Sequence, residues 1–232
     1  MDSVYEAGTR AFALLLTGDS SLWDLVNTSF AVSFQAILYI TPPALVLAFV
    51  LALARFRGRH FLISVFHSLL AVPAVVIGLT LYLLLSGKGP LGGLQLLFTQ
   101  PAMILGQMLL AFPILVALGL AVLQLTDRKA WETARTLGAS RIKGMLSVMY
   151  DARSGLLTAV LAAFGRVIAE VGCALLVGGS ILHHTRNLTT AINHETSTGA
   201  FAEAIALGIV LLTFALVFNL LLSAAHNRLQ HA

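Results

Sequence analysis

PAMILGQMLLAFPILVALGLAVLQL, residues 101–125, runs for 25 positions without one Asp, Glu, Lys or Arg. Such a stretch carries no charge with which to face water. At 1.5 Å per residue it is long enough to cross ~30 Å of hydrocarbon with some tilt. Three more runs, 28–54, 61–87 and 204–225, are equally free of those four residue types. A fifth, 154–181, contains two of them, Arg166 and Glu170. Continuous apolar runs of this length lack the alternation of a barrel strand, so each is predicted to span as a helix. The expected fold class is all-α and integral to the membrane, with five transmembrane helices.

Composition agrees. The chain is 58% hydrophobic and 10% charged, with a mean hydropathy of +0.92, whereas soluble domains are about 25% charged. So few charges cannot cover a water-facing surface, and most of the exterior is expected to face lipid. The formal charge of +4 invites a nucleic-acid reading. The basic residues lie in short loops between apolar runs instead, which is the signature of topology. Nucleic acid is therefore excluded as a partner. Cys173 is the only cysteine, so no intrachain disulfide can form. The N-terminus does not read as a cleavable signal, because Ala11 to Leu16 is too short for an apolar core and follows Asp2 and Glu6.

Five spans put the termini on opposite sides. One side receives Arg55, Arg57, Arg59, the loop basics Arg128, Lys129, Arg135, Arg141, Lys143 and Arg153, and Arg228 of the tail. The other receives Arg10, Lys88 and Arg186. Ten against three places the N-terminus outside and the C-terminus in the cytoplasm. The expected plan is an external amphipathic segment at 1–27, a membrane domain at 28–225 and a cytoplasmic tail at 226–232. Gly18-Asp19-Ser20-Ser21 reads as a turn and helix start.

The one sizeable polar segment is 127–153, between the third and fourth spans. Asp127 suits an N-cap, and the residues through Leu137 suit a short helix. Gly138 suits a left-handed stop, and Ser140 can cap a second helix from Arg141. Two short helices joined at a glycine make a compact knob. Ala134 and Ala139 beside the turn would let it sit shallowly in a partner's groove.

Here a resemblance becomes specific. Glu132-Thr133-Ala134-Arg135-Thr136-Leu137-Gly138-Ala139 resembles the coupling-helix motif of permease subunits in binding-protein-dependent ABC importers. That motif reads Glu-Ala-Ala, three residues, Gly, then nine residues to Ile-x-Leu-Pro. Glu132, Ala134 and Gly138 fall in register and Thr133 replaces the first alanine. The distal end departs, with Val148, Tyr150 and Asp151 where Ile, Leu and Pro are usual. Phe164-Gly165-Arg166-Val167-Ile168-Ala169-Glu170-Val171-Gly172, then Val177-Gly178-Gly179, is similar to tungstate-type permeases, relatives of the molybdate and sulfate ones. Thr189-Thr190-Ala191-Ile192 and Glu195-Thr196 are similar too.

The resemblance implies a type I importer permease carrying an oxyanion, tungstate foremost, with molybdate, sulfate and vanadate as alternatives. It implies a second copy of the chain, two cytoplasmic ATPase subunits binding ATP and Mg, and one external substrate-binding protein. Glu132, Thr133, Ala134, Arg135, Gly138 and Ala139 would couple to the ATPase. This chain lacks the phosphate-loop motif, and no cofactor or catalytic residue is expected in it. Two other classes compete: a secondary transporter, which needs coupling charges in several spans, and a membrane scaffold, which gives no reason for the two-helix loop.

Arg166 and Glu170, four apart, share one helix face, with Arg166 at about 18 Å depth. They either line or gate a route, together with Gly178 and Gly179, or pair internally to fix helix packing. The same glycines also suit close helix approach. Segment 180–199 is expected outside, where Arg186, Thr189 and Thr190 either contact an oxyanion or the binding protein, or belong to a solvated loop. His183, His184 and His194 lack metal-ligand spacing, so no metal site is expected. Pro42, Pro43, Pro73 and Pro113 predict kinks or bends within spans, and Trp23 and Tyr82 read as interfacial anchors.

Overall fold

The computed structural model describes residues 20–54, 56–126 and 128–230. Most of the expected external segment at 1–27 and the N-cap expected at Asp127 lie outside these residues. Ten α-helices follow in order: α1 Ser20–Leu53, α2 Arg59–Leu69, α3 Ala74–Leu85, α4 Gln100–Leu125, α5 Arg128–Thr136, α6 Arg141–Asp151, α7 Arg153–Ile168, α8 Gly172–Gly178, α9 Leu188–Ser197 and α10 Phe201–Gln230. The described chain is helical and loop, with a single 3-10 turn at Gly92–Leu94.

Three helices are long and apolar enough to cross a membrane unbroken: α1, α4 and the part of α10 at Phe201–Phe218. α1 spans 34 residues, about 51 Å of helix, so it extends past the hydrocarbon layer and begins before the apolar run does. α1 and α4 form the central pair. Ala44, Ala48, Leu51, Leu115 and Val116 are fully buried there. At Gly119 of α4 an added Cβ would lie 3.3 Å from Ala48 Cβ, so small residues set the spacing of the two helices.

The second and fourth spans depart from the sequence expectation of single helices. α2 and α3 bend by 96°, and α7 and α8 by 60°. Counted as one crossing each, these pairs bring the total to five. Pro73 explains the first break. It stands at the N-cap of α3 in extended conformation, where its fixed φ and missing N–H start a helix that could not continue through it. Pro42, Pro43 and Pro113 lie inside α1 and α4 without dividing them. The second break has no proline, and its cause belongs to the site below.

The two breaks adjoin. An added Cβ at Gly172, where α8 begins, would lie 2.6 Å from Val75 Cγ2 at the start of α3. Beyond the breaks α3, α8 and the first turns of α4 form one tight unit. A Cβ on Gly78 would come within 2.8 Å of the Cys173 backbone, and one on Gly106 within 2.5 Å of Cys173 Sγ. Only glycine allows that approach.

The segment expected as an external loop contains a helix. α9 is capped by Asn187, whose Oδ1 accepts from Thr190 N (2.9 Å) while Thr190 Oγ1 accepts from Asn187 N (3.0 Å). This reciprocal box satisfies amides that would otherwise be orphaned at the helix start. Leu188 N donates to Ser29 Oγ of α1 at 2.8 Å, so the cap is sunk against the bundle.

Candidate functional site

Two places carry the residues singled out in the sequence. The first is the polar elbow of α5 and α6. Leu137 N and Gly138 N close the end of α5 on the carbonyls of Thr133 and Arg135, at 3.0 and 3.2 Å. Gly138 then turns at φ +83°, a conformation that favours glycine. Arg135 Nη1 donates to Ala139 O (2.6 Å), tying helix to turn, and Ser140 Oγ accepts from Lys143 N at the start of α6. Despite Val148, Tyr150 and Asp151 in place of the motif's distal residues, α6 still ends at Asp151 and the chain turns into α7 at Ala152.

Trp131 joins the elbow to the bundle. Its ring meets Phe49 of α1 edge-on at 5.5 Å between centroids. It also lies over Gly144 of α6, where a Cβ would come within 2.9 Å of the indole. Beside it opens a cavity of about 500 Å³ lined by Phe49, Leu53, Arg135, Arg141 and Met145 among others. Glu132, Thr133, Arg135 and Gly138 are exposed. So are Leu137, at 82%, and Ile142, at 67%. Apolar side chains held out from a polar knob make a surface suited to burial against another protein.

The second place is the break between α7 and α8. Arg166 Nη1 donates to Glu170 Oε2 at 2.6 Å, with Arg166 half exposed and Glu170 buried. Glu170 Oε1 accepts from Gly172 N at 3.0 Å. The carbonyls at the break draw donors from elsewhere in the chain, Val167 O in addition to the 3.2 Å bond that Glu170 N gives it. Gln107 Nε2 of α4 donates to Val167 O at 3.3 Å. Thr189 Oγ1 lies 3.0 Å from Glu170 O and 2.9 Å from Asn187 Oδ1, two acceptors for one hydroxyl proton. A break at membrane depth persists only when its polar backbone is satisfied this way.

The structure places the other candidate residues individually. Thr189 and Thr190 are buried and committed to the break and to the α9 cap, rather than facing outward. Gly178 and Gly179 lie against Met103 and Phe98, with added Cβ contacts of 2.8 and 2.7 Å. Arg186 donates through Nε to Ser180 O and lines a cavity of about 230 Å³ with Glu195 and Glu203. His183 Nδ1 is 3.0 Å from Asp24 Oδ2. No group of three or more metal-ligating side chains forms among the described residues. Gln107, Asn187 and Trp131 went unremarked in the sequence; an amide deep inside an apolar run was the available sign of the first.

A bundle of apolar helices with two broken crossings and an exposed two-helix elbow defines a multi-pass membrane transport subunit. Residues 27–231 match the family model described as "Binding-protein-dependent transport system inner membrane component", and the chain belongs to that family. It is accordingly the inner-membrane permease subunit of an ABC importer and not itself an enzyme. The chain is 36% identical to the "Tungstate uptake system permease protein TupB" of Campylobacter jejuni, over 94% of this chain and 92% of that one. It is 40% identical to the "Probable anion ABC transporter permease protein" of Haloferax volcanii, over 87% and 92% of the two chains. The fold superposes with TM-score 0.78 on a bacterial alginate ABC transporter in complex with its pentasaccharide-bound periplasmic protein. That chain is 18% identical, with 99% of this chain and 88% of the other covered. A permease of this family calls for no cofactor of its own, and its importer works with a binding protein and an ATPase.

Proposed function

We propose that this chain carries tungstate, a tetrahedral dianion, inward across the membrane. The observation that bears most on the cargo is the 36% identity to a tungstate permease over 94% of the chain. Two copies of the chain enclose the route, and two ATPase subunits binding ATP and Mg grip the elbows on the cytoplasmic side. Glu132, Thr133, Ala134, Arg135, Gly138 and Ala139 form the gripped surface, and the exposed Leu137 and Ile142 add its apolar contact. Trp131, wedged between Gly144 and Phe49, passes the elbow's movement to α1. The N-terminus lies outside and the C-terminus in the cytoplasm, as the basic loops require. The external binding protein docks on the face bearing Arg186, and the route passes Arg166 and Glu170.

Uptake into proteoliposomes tests this reading. The chain, its ATPase subunit and the binding protein are reconstituted, and uptake of tungstate, molybdate, sulfate and vanadate is compared. ATP-dependent uptake with tungstate preferred is the expected result. Preference for another oxyanion overturns the cargo assignment, and uptake without the ATPase overturns the importer.

A further inference from the structure

We propose that Arg166 is a transit contact for the oxyanion, and that Glu170 is the residue that positions it. This rests on the reading of the chain as an oxyanion permease and deepens it to one guanidinium.

The pair is asymmetric. The Glu170 side chain is 9% exposed and that of Arg166 50%. Both carboxylate oxygens are engaged, one by Arg166 and one by Gly172 N, and the Glu170 carbonyl accepts from Thr189. The acid is therefore fixed to the break and faces protein. The half-exposed guanidinium gives one N–H to that acid, and no other acceptor meets it among the described residues. Hydrocarbon supplies no acceptor for an arginine inside a span, so such a group faces water, a polar path or an anion.

The surroundings favour the path. Besides Arg166, the exposed positions on this side are Thr158 and Ala162 of α7 and Ala169 just past its end, all small, with Gly165 partly exposed beside them. The exposed positions of α3 are Val75, Val76, Leu79, Thr80 and Leu83, four of the five bulky and aliphatic, and those of α10 include Leu212, Leu216, Val217 and Leu220. The bulky aliphatic faces are those that lipid tails cover. The small side chains of α7 leave room beside the Arg166 guanidinium. A guanidinium presents its free N–H groups as a planar fork that fits two oxygens of a tetrahedral anion. The buried carboxylate fixes where the fork points and offsets its charge, so the anion is met without being trapped. Transport requires a site that releases what it binds.

The alternative is an ion pair that only holds the bend. Removing both charges separates the two, since replacing a whole buried pair by neutral groups is often tolerated while removing one partner is not. The experiment compares wild type, Arg166→Met, Glu170→Gln, Arg166→Met with Glu170→Gln, and Arg166→Lys in proteoliposomes with ATPase and tungstate-loaded binding protein. Assembly is read separately, by co-purification with the ATPase. A transit contact predicts that the double variant assembles yet stays about a hundredfold below wild type in initial uptake, the scale of a lost hydrogen bond to a charged group. Arg166→Lys, which keeps charge without the fork, should fall about tenfold on the same scale. Glu170→Gln falls less than Arg166→Met. Uptake within about threefold of wild type in the double variant assigns the pair to bend-holding alone and overturns the proposal. If Arg166→Met does not assemble, the double variant and Arg166→Lys decide by the same criteria. Wild-type complex that takes up no tungstate overturns the cargo reading, and the inference falls with it.

Discussion

The elbow and the broken fourth span are built in opposite ways. The hydrogen bonds that shape the elbow's turn link residues three or four apart: Leu137 to Thr133, Gly138 to Arg135, Arg135 to Ala139 and Lys143 to Ser140. The break joins Val167 to Gln107, 60 residues away, and Glu170 to Thr189, 19 away. A part that must be gripped from outside can be specified locally and held out from the bundle. A part that interrupts a helix inside the membrane needs polar partners delivered by other helices, because lipid supplies none. The two can therefore be disturbed separately.

Gly138→Pro should have the largest effect. The φ of +83° lies far from the value proline imposes, and the misfit is worth about 3 kcal/mol. Co-purification of the ATPase should be lost while the thermal unfolding midpoint of the chain in detergent is unchanged. A falling midpoint would mean that the elbow is part of the bundle's stability. Gly78→Val should do the reverse. Its Cβ would meet the Cys173 backbone at 2.8 Å, and overpacking of this kind costs about 2 kcal/mol. A lowered unfolding midpoint is expected, with ATPase association retained per folded molecule. Gln107→Leu removes one of two donors to Val167 O, which Glu170 N still meets at 3.2 Å, at a cost of about 1 kcal/mol. It should slow uptake and leave association intact, and unaltered uptake would show that the break does not depend on the link from α4. Ser140→Ala removes the α6 cap, worth about 1 kcal/mol. ATPase affinity should weaken about fivefold, with no change in the unfolding midpoint.

Legibility in the sequence follows the same division. Charge-free runs gave the crossings, because the energetic demand of the bilayer is written along each segment. Gly138 and Ser140 were readable as stop and cap because the structures they serve are three residues away. Pro73 announced a kink without its size, since a 96° bend depends on what α3 packs against afterwards. The break after Ile168 has no proline, and nothing in 154–181 reveals that Gln107 and Thr189 stand ready to satisfy it. For the same reason Thr189 and Thr190 read as external hydroxyls. Asn187 and Thr190 make a capping box whose second member is threonine in place of the usual acid or amide.

The central claim is that the elbow is the cytoplasmic grip of the ATPase. Leu137, 82% exposed at the turn, offers the most direct probe. A Leu137→Cys variant, with buried Cys173 changed to Ala, would be treated with a membrane-impermeant maleimide in vesicles of known orientation. Labelling of inside-out vesicles only, and its suppression when the ATPase subunit is bound, is the predicted result. Labelling from the external face, or labelling that the ATPase leaves undiminished, would contradict it.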